Sequence, residues 1–327
     1  MGEGRVITLL ATYIVLVALA VGVVAAAGFV AGADLGRPDG ATIEGQSPPQ
    51  YQPERVEPAV DPETGEITVA PGDAEILVDT THDNAVEPAE LEPLAGALFA
   101  AGHRLRYTNN TTAANATGPP FGERLDGHAG LLLVQPTEGF TDRERAAVRE
   151  YTAAGGHVVV LAEPTQTRVA GRSLNGTPTV SFAANDLTSA YGIRMGSDVL
   201  YNIDDDRNDN NFKSVYTAPT GSGPLTDGAG TVTLDTGGYA LVDGPARPVY
   251  TAVEGTRTLR TRRTGQFPTV ARTENLVFVA DTSLVTRSEV YDADNEAFVG
   301  NLLTFLANGD APGRADDADT GSDGTGS

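Results

Sequence analysis

The chain of 327 residues contains no cysteine. That absence excludes disulfides, thiolate zinc sites, iron–sulfur clusters and cysteine nucleophiles. It leaves the compartment open, because cysteine-free chains occur in reducing and oxidising surroundings alike. Lysine is nearly absent as well. Lys213 is the only lysine among 22 basic residues, set against 44 acidic ones, for a formal net charge of −22. An acidic excess spread along the chain, with arginine as the base, points to a salt-adapted, halophilic proteome in which high salt screens self-repulsion. No basic stripe exists to neutralise phosphates, so nucleic acid is not an expected partner. The one basic run, RTLRTRRTG from Arg257 to Gly265, reads as a solvated strand or hairpin. No glycine-rich phosphate loop follows the first strand and no G-x-S-x-G elbow occurs, which argues against nucleotide binding and serine-hydrolase chemistry.

Charge is also missing between Arg5 and Asp34. That apolar run is long enough to cross a hydrocarbon core of about 30 Å. It predicts a transmembrane anchor over residues 1–33. A cleaved signal peptide is the alternative, since Ala31-Gly32-Ala33 resembles a cleavage site, but the run exceeds the ~7–15 residues of an ordinary signal core. The distribution of arginines slightly favours an extracellular domain on a single-pass protein. Sequons at Asn109, Asn110, Asn115 and Asn175 agree with that orientation as candidate glycosylation sites.

Residues 34–72 are rich in proline, glycine and acids and read as a disordered linker; 310–327 reads as a disordered acidic tail. Between them, 73–309 alternates buried strands with helices. Apolar runs predict strands at 75–79, 129–137, 157–164 and 275–285. Leu91, Leu94, Ala95, Leu98 and Phe99 recur at helical spacing, with Gly102 as the stop. Thr141 and Glu144 form a capping box for a helix carrying Ala147, Val148, Tyr151 and Ala154. Phe298, Val299, Leu302, Leu303 and Leu306 mark a last helix. Residues 165–272 read as a β-rich insertion with hairpins. The pattern predicts a three-layer α/β fold on a mostly parallel, flavodoxin-like sheet.

The segments ILVDTTHDN, FTDRERAAVREYTAAGGHVVVLAEP and VADTSLVTRSEVYDADNEAFVGNLLTFL resemble an uncharacterised family, domain of unknown function 4350. The resemblance implies a class I glutamine amidotransferase-like fold and a membrane anchor. It also implies the company of MoxR-type ATPases and envelope-associated partners. Glutaminases of that fold use a cysteine; here Glu163-Pro164 follows the strand at 157–162 and no cysteine exists, so glutaminase chemistry is excluded.

Open α/β sheets place their sites at the carboxyl ends of strands. Asp79, Thr81, His82 and Asp83 follow the first strand, Glu163 the strand at 157–162, and Asp281 and Ser283 the last. These are the candidate ligand-binding residues. Carboxylates with a histidine can perform acid/base hydrolysis or hold a divalent ion, whereas Thr80, Thr81 and Asn84 can equally cap the turn. His103, His128 and His157 read as satisfied polar residues. Asp204, Asp206, Asn208 and Asn210 alternate as in calcium loops, but Asp209 and Val215 stand where an EF-hand needs glycine and glutamate. No other cofactor is expected. The leading expectation is a membrane-anchored, non-enzymatic domain that binds a partner protein or envelope glycan. The rivals are a hydrolase built on the carboxylates and His82, and a calcium-stabilised adhesion protein.

Overall fold

The computed structural model describes residues 65–85, 88–108, 119–167 and 179–313. Its centre is a nine-stranded sheet. In chain order the strands are β1 (Glu75–Val78), β2 (Arg104–Tyr107), β3 (Gly130–Val134), β4 (His157–Leu161), β5 (Ser214–Pro219), β6 (Val232–Asp235), β7 (Arg247–Ala252), β8 (Pro268–Arg272) and β9 (Leu276–Val279). Across the sheet they run β6-β5-β7-β8-β9-β4-β3-β1-β2. The strands from β9 to β2 are mutually parallel. The pairings from β9 outward through β8, β7, β5 and β6 are antiparallel.

The sheet is therefore mixed, which corrects the expectation of a mostly parallel, flavodoxin-like one. The cause is local. Only Thr273 to Asn275 separate β8 from β9, and Thr273 N–H donates to the Leu276 carbonyl at 2.8 Å. A parallel return needs a crossover of a dozen residues or more, so so short a turn enforces an antiparallel partner. The fold is corrected in a second respect. Among the described residues no helix is long and apolar enough to cross a membrane, and the anchor expected over 1–33 lies outside them.

Residues one apart on the strands supply two different cores, as a strand's period of two requires. Ile76, Val78, Leu132, Val134, Val159 and Leu161 face one side, packed with Leu94 and Leu98 of α1 (Glu92–Ala100). Leu77, Leu131, Leu133, Val158 and Val160 face the other. There they meet Phe121 and Leu125 of α2 (Phe121–Leu125), Val148 and Tyr151 of α3 (Asp142–Ala153), and Leu187 of α4 (Asn185–Ser189). The last helix, α5 (Asn295–Ala307), lays Phe298, Val299, Leu302, Leu303 and Leu306 on the first side. Phe99 does not join the stripe assigned to it: it is 82% exposed, one position beyond the buried Leu98.

The core also begins earlier than the boundary at 73. Ile67 and Val69, within the segment expected to be linker, are buried against α5. Ala70 N–H donates to Thr304 Oγ1 at 3.1 Å, and His103 locks the segment from both ring nitrogens. Its Nδ1 accepts from Ala74 N–H at 3.1 Å, and its Nε2 donates to the Ala70 carbonyl at 2.7 Å. The Thr68 backbone passes so close to Gly300 that a Cβ there would collide with it. Two apolar residues spaced i, i+2 are too faint a signal amid so much proline and glycine. At the other end, Asp310 N–H donates to the Gly155 carbonyl and Gly127 N–H to the Pro312 carbonyl, so 310–312 are fastened to the domain.

Gly300→Ala is expected to lower stability by about 1–3 kcal/mol, the usual cost of overpacking, with increased protease cleavage before residue 75. Unchanged denaturant midpoint and cleavage pattern would show that the 67–70 segment does not pack there.

Candidate functional site

The parallel strands order the carboxyl edge of the sheet. The chain leaves β1 for β2 on one side and returns to β3, β4 and β9 on the other. The switch point thus lies between β1 and β3, the position at which open α/β sheets form a ligand crevice. Here the loop after β1 fills it. Asn84 bridges Pro136, Ala85 N–H donates to the Gln135 carbonyl at 3.1 Å, and the His82 carbonyl accepts from Thr137 and Glu138 N–H, both at 3.0 Å. Asn84 Nδ2 reaches back to the Asp79 carbonyl at 2.7 Å.

Under this loop lies the first cluster. Asp79 is completely buried, and its carboxylate takes four donors. His82 Nδ1 stands 2.6 Å from Oδ2, while Oδ1 accepts from Thr81 N–H at 3.0 Å, Thr81 Oγ1 at 2.7 Å and Thr108 Oγ1 at 3.4 Å. His82 is itself buried, stacked on Phe140 with ring centroids 3.7 Å apart and edge-on to Phe121 at 5.6 Å. Its Nε2 faces Glu144 Oε2 at 3.6 Å. The predicted capping box of α3 is present, so Glu144 both caps the helix and closes an Asp79–His82–Glu144 line. Burial pushes the Asp79 carboxyl up, but the hydrogen bonds and charge of His82 and Thr81 outweigh it and hold the group below its ordinary value. Burial likewise pulls His82 down, and Asp79 and Glu144 together raise it above the usual imidazole range. Asp83 lies outside this cluster: it is exposed at a φ of 48°, with Thr137 Oγ1 donating to its carboxylate at 3.0 Å.

A second cluster follows β4 and β9. Glu163 Oε1 accepts from Thr282 N–H and Thr282 Oγ1, both at 2.8 Å, and Oε2 from Gln166 Nε2 at 3.0 Å. Asp281, also completely buried, accepts Ser283 N–H on Oδ1 at 2.5 Å and stands beside the Glu163 carboxyl. Two facing carboxylates have only acceptors, so Asp281 Oδ2 lacks a donor unless one of the pair carries a proton. Burial, with the charge of Asp235 adding to it, lifts Glu163 to about 7 in spite of the Thr282 and Asp281 hydrogen bonds. Burial and the Glu163 charge raise Asp281 well above the ordinary carboxyl value. Ser283 Oγ accepts from Asp235 N–H at 3.3 Å.

Gln135 stands between the clusters. It is buried at a φ of 44°, a conformation that side chains other than glycine seldom adopt. Its Oε1 accepts from Glu163 N–H at 2.7 Å. The expected single crevice is thus two self-contained clusters. The cavity beside them, lined by Gln135, Glu163, Gln166 and Thr282, measures about 20 Å³, the space of roughly one water.

Glu144, Gln135, Thr108, Phe121 and Phe140 belong to this edge but were not singled out as site residues. Glu144 was legible only as a cap, and Gln135 only as the polar residue ending an apolar run. Of the proposed calcium loop, Asp204, Asp206 and Asn210 are exposed. Asn208 Nδ2 donates to the carbonyls of Asn202 at 3.1 Å and Asp204 at 2.9 Å, so it pins the loop itself. Among the described residues no group of three or more histidines, aspartates and glutamates is placed to hold a metal ion. The four sequon asparagines, Asn109, Asn110, Asn115 and Asn175, lie outside the described residues. His103 and His157 are held by backbone groups, His157 Nδ1 by the Phe305 carbonyl at 2.5 Å.

Comparison with known proteins places this geometry. The family model described as "Domain of unknown function (DUF4350)" matches residues 94–303. The solved "mmIFT52 N-terminal domain" superposes with a TM-score of 0.56 at 17% identity, over 72% of this chain and 99% of that one. That likeness is one of fold. A ThuA-like protein from Parabacteroides merdae gives a TM-score of 0.39 at 10% identity, over 72% of this chain and 90% of that one. The glutaminase domain of Trypanosoma brucei CTPS gives 0.33 at 11% identity, over 75% and 98%. Both are too loose to bear on the site. No curated protein matches.

His82→Ala strands the Asp79 carboxylate and is expected to cost about 3–5 kcal/mol. The raised His82 stabilises the fold fully below about pH 6.5 and loses that contribution as pH rises through its folded value. The lowered Asp79 stabilises above about pH 3.8 and loses that as pH falls through its own. The cost of the substitution should therefore peak between these values and shrink at alkaline pH; urea titrations at pH 5.5 and 9 that gave equal costs would refute the pairing.

The second cluster shifts in the same direction as His82. A carboxyl raised to about 7 keeps its full contribution below about pH 4.5 and loses it as pH climbs through 7. Asp281→Asn supplies a permanent donor to Glu163. The variant should flatten the fall of Tm between pH 4.5 and 8 and melt about 2–6 °C above the parent at pH 8. An unaltered pH profile would mean that the two carboxyls share no proton.

Proposed function

The chain belongs to the family described as domain of unknown function (DUF4350), a membership that brings no activity with it, and from the sheet edge itself we propose that the domain is a non-catalytic binding module for a partner protein or an envelope glycan. The observation that carries this reading is the filled switch point. An enzyme on such a sheet keeps the crevice between β1 and β3 open to substrate. Here the 79–85 loop hydrogen-bonds across it, and His82 is enclosed by two phenylalanines and two carboxylates. Asp79 spends its acceptors on Thr81, His82 and Thr108, as a structural carboxylate does. Envelope systems that include MoxR-type ATPases are the setting in which such a module would act as an adaptor.

One observation favours the hydrolase as a second reading. Glu163 at about 7 facing Asp281 has the protonation behaviour of a general acid. Against it, a cavity of about 20 Å³ admits no glycoside, ester or peptide.

The full chain, assayed in high salt between pH 5 and 8 against glycoside, ester and peptide substrates, is expected to show no turnover above background. Robust turnover that Glu163→Gln or His82→Ala abolishes would overturn the binding reading.

A further inference from the structure

A cavity of about 1080 Å³ lies far from the filled crevice in topological terms, at the opposite end of the strands. Its floor is the turn from β8 to β9, Thr273 to Asn275. Its walls are the carboxyl-terminal turn of α3, the start of β7, and the loop from Thr220 to Thr226. Three arginines, Arg149, Arg247 and Arg272, and a single acid, Glu274, line it.

Two features of these arginines ask for an anion. Arg247 on β7 and Arg272 on β8 are direct cross-strand partners, so their side chains leave the same face side by side. Like charges placed so oppose each other unless a counter-charge sits between them. Moreover, none of the three takes part in an ion pair among the described residues, although acids outnumber bases 44 to 22 in the chain. Arg272 commits only its Nε, to the Thr273 carbonyl at 3.1 Å, which leaves its terminal nitrogens free to grip a carboxylate. At the carboxyl end of α3, Asn275 Nδ2 caps the Thr152 carbonyl at 2.7 Å.

The walls are open rather than packed. A Cβ at Gly221 or Gly223 would meet nothing within 4 Å. The volume lies at the upper limit of small-molecule clefts, about 300–1,000 Å³, and suits an extended segment. Pro224, Pro245, Pro248 and Leu225 give apolar shelves between the charges. Tyr191 is the one aromatic lining residue, with its hydroxyl already bonded to Thr152 at 2.9 Å. The chain has no tryptophan. A sugar ring would find a single aromatic residue, whereas carboxylates alternating with small residues would find guanidinium forks and apolar shelves.

We propose that this groove seats an acidic peptide segment of a partner protein, with its carboxylates on Arg247, Arg272 and Arg149. The proposal rests on the binding-module reading and names the surface and the chemistry it uses.

The test titrates the full chain into fluorescein-labelled octa-aspartate and follows anisotropy, at the lowest salt that keeps the circular dichroism of the fold. The wild type should bind saturably, an octa-serine control should not, and binding should weaken as salt is added. Arg247→Gln/Arg272→Gln removes a like-charge contact and so preserves the fold; it should weaken binding by about tenfold or more. Arg149→Glu should weaken it as well, while Arg257→Gln, outside the groove, should leave it unchanged. Absence of saturable binding, or equal loss in the Arg257 variant, would overturn the assignment. So would an acidic oligosaccharide that binds more tightly than the peptide through the same arginines. Any of these failures leaves the non-catalytic reading standing, since that falls only to turnover.

Discussion

A carboxylate taken wholly out of water must be given donors, and the donors recruited by Asp79 determine what the carboxyl edge of the sheet can do. His82 comes from three residues further along the same loop, and it can reach Asp79 only if the loop folds back over the β1–β3 junction. The folded loop then offers its carbonyl to Thr137 and Glu138 and its imidazole to the N-terminus of α3. One ion pair therefore anchors β1, the segment after β3 and the first turn of α3 together. The same closure occupies the junction between β1 and β3 with hydrogen-bonded backbone. Charge burial is costly unless every lone pair is used, and here the use of the lone pairs is what consumes the site.

The Glu163–Asp281 pair solves the same problem with a proton instead of a cation. No arginine or histidine faces it among the bonded partners, only hydroxyls, amides and backbone N–H groups. Such donors cannot neutralise two charges, so the pair holds a proton up to about neutrality. The two clusters sit at the ends of parallel strands on either side of Gln135, and with His82 and Glu163 both raised each gives up stability as pH climbs. The strained backbone of Gln135 persists because its carbonyl, N–H and side-chain oxygen are all engaged, by Ala85, Leu161 and Glu163.

How far the sequence discloses this edge depends on the range of the interactions. Continuous apolar runs such as LLLV and HVVVL signal strands buried on both faces, and these are β3 and β4. The capping box of α3 is a pattern within four consecutive residues and is likewise visible. His82 beside Asp79 is a local pair and stands out for the same reason. The partnership of His82 with Glu144 spans 62 positions and is hidden, because Glu144 already has a complete local explanation. The mixed sheet is hidden for a different reason: strand direction is set by the few residues of the β8–β9 turn, which carry no apolar periodicity. Ile67 and Val69 escape notice because their contacts lie on α5, at the far end of the chain.

The closure at one end of the sheet bears on the other. Parallel strands leave their carboxyl ends crowded with loops, and this chain uses those loops to satisfy buried charge. The antiparallel half has no such obligation. Its hairpins put β7 and β8 in register with Arg247 opposite Arg272, an arrangement that gains nothing for the isolated fold. In a chain so rich in carboxylates, an intramolecular acid could have been placed beside them at little cost, as Asp198 is beside Arg260. Arginines left without an ion pair among the described residues are what the proposed acidic segment would engage. On the proposed reading the mixed topology and the function are linked: the parallel half would supply the sealed core, and the antiparallel half the surface offered to an acidic partner segment.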